Sequence, residues 1–162
     1  MKKILLVLCL LVFTVAFTGC SAKTVEFDRK GITIVLPSDF KELDTEKWDF
    51  YVEDDKVAIM SDRISKFSQI NGLDLSKLSL EEYLNSVLAT YGIQDSTTTY
   101  LVEGYYATFY YCYYTVEEKF GYMMMVAESD AFFYLINLAA DYDVFQETKP
   151  LLMEYAVKIQ IE

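Results

Sequence analysis

Apolar residues between positions 79 and 92 recur with helical spacing. Leu80, Tyr83, Leu84, Val87, Leu88 and Tyr91 fall at i, i+3, i+4, i+7, i+8 and i+11, which predicts an amphipathic helix with one buried face. Ser79 with Glu82 three residues on forms a capping box, and Gly92 suits the position just past the last turn. Elsewhere the period is two. Val25-Glu26-Phe27 and Ile32 to Leu36 flank Asp28-Arg29-Lys30-Gly31 and predict a hairpin that ends at Pro37, which cannot donate to a ladder. Trp48 to Val52 and Val57 to Ser61 predict a second hairpin around Glu53 to Lys56, and Ile64 to Leu78, with Asn71-Gly72, reads as a surface loop with a short helical turn.

Three longer strands follow: Thr97 to Thr115, bent or broken near Gly104, then Phe120 to Ala127 and Phe132 to Ala140. The short turns between them predict antiparallel pairing. Leu151, Leu152 and Tyr155 mark a last helix with Pro150 near its start, and Val157, Ile159 and Ile161 alternate as a closing strand. The pattern predicts one α+β domain over residues 24–162, an antiparallel β-sheet flanked by helices on both faces.

The segment Tyr105 to Thr115 departs from simple alternation. Tyr105, Ala107, Phe109, Tyr111 and Tyr113 share one face, and Tyr106, Thr108, Tyr110, Cys112 and Tyr114 share the other. Neither is polar, whereas a sheet with one wet face alternates. Such a strand is covered on both sides, or one face is a partly open aromatic surface. On the second reading Tyr105, Tyr106, Tyr110, Tyr111, Tyr113 and Tyr114, with the adaptable Met123 and Met125, form a binding face for a protein, peptide or glycan.

The N-terminus has its own pattern. Met1-Lys2-Lys3 is basic, and Ile4 to Phe17 is an apolar run shorter than the roughly 20 residues of a membrane span. Phe17-Thr18-Gly19-Cys20 follows. This resembles the lipobox of bacterial lipoproteins, although that family most often has Leu where Phe17 stands. The resemblance implies a signal peptide at 1–19, cleavage before Cys20, a diacylglycerol on that cysteine, and a lipidated tether at 20–23. Two acyl chains suffice for stable anchoring, at about 0.8 kcal/mol per buried methylene. The domain is then expected on the extracytoplasmic side of the cell membrane.

The chain has 14 Lys+Arg, 25 Asp+Glu and no His, a net charge of −11. Removal of Lys2 and Lys3 with the leader makes it −13. Such a domain repels nucleic acid and anionic lipid heads, so membrane contact is expected through the lipid on Cys20 alone. Loss of Cys9 and lipidation of Cys20 leave Cys112 without a disulfide partner. The absence of His removes His-based triads and His metal ligands. No phosphate loop, nucleophile elbow or Cys-x-x-Cys motif is present. No cofactor is expected. The composition points to a non-enzymatic binding or accessory module, with a carboxylate-based extracytoplasmic hydrolase or a structural envelope component as alternatives.

Gly31-Ile32-Thr33-Ile34-Val35-Leu36-Pro37-Ser38-Asp39-Phe40 and Ser79-Leu80-Glu81-Glu82-Tyr83 are similar to the strand and central-helix start of Mog1/PsbP-like proteins. The order of elements over residues 24–161 also resembles that group. The resemblance implies an antiparallel sheet between helical layers, in proteins that are mostly accessory or binding factors, and carries over no functional residue.

Overall fold

The computed structural model describes residues 23–70, 72–93, 98–102, 104–113 and 119–162; at residues 99, 100 and 108–113 it describes the backbone. Strands β1 (Thr24–Arg29) and β2 (Ile32–Pro37) form the predicted first hairpin. Its turn is Lys30-Gly31, at φ 57° and 82°. Positive φ at both central residues is the turn geometry that matches the twist of the flanking strands.

After β3 (Lys41–Glu42), strands β4 (Phe50–Glu53) and β5 (Ala58–Ser65) make the second hairpin. β5 runs past its predicted end at Ser61, because Ile64 and Ser65 find partners in a distant strand. The expected loop that follows contains a small hairpin, β6 (Gln69–Ile70) and β7 (Leu73–Asp74), then a 3-10 turn at Leu75–Lys77. Helix α1 (Leu80–Tyr91) has the predicted boundaries. The Glu82 N–H donates to Ser79 Oγ at 3.3 Å, Ser79 N–H donates to Glu82 Oε2 at 2.8 Å, and Gly92 closes the helix at φ 68°.

The segment from Thr97, expected to be bent or broken near Gly104, is broken there into two strands. β8 (Thr98–Val102) and β9 (Tyr105–Tyr113) pair antiparallel on either side of the turn containing Gly104, with a register shift between Tyr100 and Val102. β10 (Lys119–Glu128) and β11 (Phe132–Asp141) complete the meander. The last helix, α2 (Phe145–Ala156), starts earlier than expected, so Pro150 is its sixth residue rather than near its beginning. A proline there removes one ladder hydrogen bond. Val157 is helical cap, not strand; only β12 (Gln160–Ile161) closes the chain.

Among the described residues every strand pair is antiparallel. Seven strands form the main sheet in the order β3-β4-β5-β11-β10-β9-β8, and β1-β2-β12 form a second, smaller sheet. Alternation along β10 and β11 divides the core. Met123, Met125, Ala127, Ile136 and Leu138 pack with Phe27, Ile32, Ile34 and Leu36 of the small sheet and with Phe145 and Leu152 of α2. Met124, Val126, Phe133 and Leu135 pack with Leu80, Leu84, Val87 and Leu88 of α1. Burying each of these large side chains contributes about 1.5–3 kcal/mol. The small sheet is the cover that the sequence did not reveal: β2 and β12 are far apart in the chain and pair only in the fold.

Candidate functional site

The structure divides the residues expected to form an aromatic binding face. Met123 and Met125 are 0 % exposed. That corrects their place in the proposed face: they point at the small sheet and α2 and belong to the core. Tyr105 is half-buried and packs, like Ile161 of β12, against the core between the sheets; burial raises its pKa, and the neighbouring Ile161 backbone opposes the shift. Tyr106 is half-buried at the margin of the α1 cluster. Tyr110, Tyr111 and Tyr113 take strand backbone positions opposite Tyr122, Gly121 and Lys119. Tyr114 and Cys20 lie outside the described residues.

β1 gives the molecule two ends, separated by its six residues, roughly 20 Å of extended chain. At the Thr24 end, Ser38 N–H donates to Lys23 O at 2.9 Å, the Phe40 and Tyr155 rings meet edge to face at 5.5 Å, and Lys41 pairs with Glu53. A cleft of about 270 Å³ opens here beside Tyr51, Glu53, Asp54, Asp55, Phe120 and Asp141. Its acidic groups hold the turn. Asp54 Oδ1 accepts from Lys56 N–H at 2.7 Å and Val57 N–H at 2.6 Å. Tyr51 Oη donates to Glu53 Oε2 at 2.7 Å, and burial, aided by that carboxylate, pushes its pKa up to about 12.

At the Lys30-Gly31 end a larger groove, about 520 Å³, is lined by Gly31, Arg63, Asp130, Phe132, Tyr134 and Glu162 among others. Arg63 and Tyr134 are directly opposite on β5 and β11, so their side chains leave the same face. The Arg63 guanidinium lies 4.4 Å from the centre of the Phe132 ring, donates from Nη1 to Lys30 O at 3.0 Å, and stands 3.8 Å from Asp49 through Nε. Sequence reading missed this groove. Its residues come from four separate segments, and nothing local marks any of them; only the β5–β11 register brings Arg63 to Tyr134.

Two other features bear on chemistry. Burial raises the pKa of Asp62, with Asp49 adding to the shift by repulsion and opposing it by a backbone hydrogen bond. Among the described residues no group of three or more His, Cys, Asp or Glu is arranged to hold a metal ion, and no helix is long and apolar enough to cross a membrane.

No protein-family model matches the chain, and no curated protein matches it in sequence. Solved structures do. Cyanobacterial PsbP (CyanoP) from Synechocystis sp. PCC 6803 superposes with a TM-score of 0.56 at 14 % identity, over 91 % of this chain and 99 % of that one. The protein Mog1 gives 0.53 at 9 %, over 86 % and 96 %. The Ran-binding protein Mog1p of Saccharomyces cerevisiae gives 0.50 at 11 %, over 87 % and 96 %. At such identities the likeness concerns the backbone alone: the chain has a PsbP/Mog1-like fold, mostly antiparallel sheet with two helices.

Proposed function

We propose that this chain is a lipid-anchored extracytoplasmic protein whose folded domain is a non-enzymatic binding or accessory module. The leader at 1–19 is removed, and Cys20 carries the lipid on the outer side of the cell membrane. The single observation that carries this reading is the leader pattern followed directly by structure: β1 begins at Thr24, four positions after Cys20. So short a tether holds the Thr24 end at the bilayer and turns the Lys30-Gly31 end outward. The layering belongs to the same reading: α1 covers one face of the main sheet, and α2 with the small sheet covers the other. The two separate apolar clusters support it. The description of yeast Mog1p as Ran-binding supports protein recognition as a use of this fold, without naming a partner here. The net charge argues against nucleic acid as the partner.

Mass spectrometry of membrane-extracted protein tests the anchor. The N-terminal peptide is expected to begin at Cys20 with a diacylglyceryl mass. Cys20→Ala should abolish that mass and release the protein from the membrane fraction. Unchanged processing and attachment in Cys20→Ala would end this reading. The raised pKa of Asp62 favours a second one, a carboxylate-based hydrolase, but neither cleft described above contains Asp62.

A further inference from the structure

The groove at the Lys30-Gly31 end holds two hydrogen-bond donors that the fold leaves unused. Tyr134 is almost wholly covered, but its hydroxyl bonds no described protein group and is not sealed off from solvent, since no fully buried side-chain oxygen among the described residues lacks a partner. It lines the groove rather than a sealed interior. Its hydrogen-bonding capacity is therefore turned to the groove, where a ligand oxygen can take the place of water. Arg63, directly opposite, bonds Lys30 O through Nη1 and leaves Nη2 without a partner among the described residues. The guanidinium lies over the Phe132 ring and is bonded to Lys30 O, which limits where its remaining donors can point.

Gly31 keeps the space open. A Cβ there would stand 2.5 Å from Tyr134 Oη, and the residue's φ of +82° disfavours any side chain. The other wall combines Phe132 and Ile161 with the carboxylates of Asp130 and Glu162.

We propose that this groove binds a carboxylate that adjoins an apolar group, with Arg63 and Tyr134 as its donors. Charge-assisted bonds to both donors are stronger than neutral ones and satisfy two groups that the fold leaves free. The apolar neighbour of the carboxylate covers Phe132 and Ile161. Asp130 and Glu162 repel a second negative charge, so monocarboxylates are preferred over dicarboxylates. This deepens the binding-module reading and does not depend on the lipid: its failure would leave the Cys20 result untouched.

The chemistry is shared by small organic acids and by peptide C-termini, and three probes separate them: N-acetyl-leucine, acetyl-Ala-Ala-Leu with a free carboxylate, and the same tripeptide as its C-terminal amide. Binding to the full chain in detergent micelles is measured by calorimetry and by amide shifts. The free tripeptide is expected to bind at least about tenfold more tightly than its amide, because a hydrogen bond to a charged group is lost. Tyr134→Phe should weaken the free acid about tenfold and leave amide binding unchanged. It should also leave thermal stability nearly unchanged, since the hydroxyl has no protein partner to lose. Arg63→Lys keeps the charge but loses the fork, and should weaken binding as well. Tighter binding of the tripeptide than of N-acetyl-leucine identifies a peptide end; equal binding identifies a small acid. Equal affinity for acid and amide, unchanged affinity in Tyr134→Phe, or no binding of any probe would each overturn the proposal.

Discussion

Gly121 sits at a closely filled point of the core. It lies on β10 opposite Tyr111 and Ala140, and a Cβ added there would overlap the ring of Phe145, at Cγ and both Cδ atoms. Phe145 is 0 % exposed and is the first residue of α2, so its ring has no room to withdraw. Gly121 is not among the residues with positive φ, so alanine fits the backbone and the overlap is the whole cost. Forcing a methyl into a filled core costs about 1–3 kcal/mol, and overlap with a buried ring belongs at the upper end. Glycine to alanine at a compatible backbone returns about 0.5–1 kcal/mol through the unfolded state. Gly121→Ala should therefore lose about 2 kcal/mol. Urea unfolding, followed through the fluorescence of the single tryptophan, Trp48, reads this directly. With a slope of about 2 kcal/mol/M, the midpoint should fall by roughly 1 M. Phe145→Leu supplies the control. Alone it should cost about 1–2 kcal/mol of lost burial. Combined with Gly121→Ala it should cost clearly less than the sum, because the smaller side chain relieves the overlap. An unchanged midpoint in Gly121→Ala, or strict additivity of the two changes, would show that the ring does not rest on Gly121.

Met125→Ala should cost about 2–5 kcal/mol and lower the melting temperature by several degrees, as for a core methionine; a loss within about 0.5 kcal/mol would return Met125 to the surface. Asp62→Asn should raise stability at pH 7. The folded-state pKa of Asp62 lies above its unfolded value of 3.8, so its burial is unfavourable above the folded pKa and is relieved as pH falls through it. The gain should stay below about 1 kcal/mol, since much of the carboxylate remains hydrated, and fade toward pH 4 in melts across that range; a loss at pH 7 would refute the reasoning.

The sequence alone determined whatever depends on local spacing. The α1 stripe, its Ser79–Glu82 cap and Gly92 are encoded within fourteen consecutive residues, and the structure reproduces them. The Lys30-Gly31 turn and the antiparallel meander of short-linked strands were equally legible, because both are set by neighbours in the chain. The resemblance to Mog1/PsbP-like proteins, carried by the order of such elements, agrees with the fold of the solved structures. Tertiary structure decided the rest. Tyr105 to Tyr113 is apolar on both faces, and no pattern within it says what covers either. The cover over Met123 and Met125 is a second sheet, closed by β12 from the far end of the chain. Pro150 suggests a helix boundary by local rules, but α2 begins at Phe145, whose ring is buried against Gly121, a contact made only in the fold. The groove was illegible for the same reason. Arg63, Tyr134 and Gly31 are ordinary residues in their own segments, and their chemistry exists only because the β5–β11 register and the packing of the first turn bring them together.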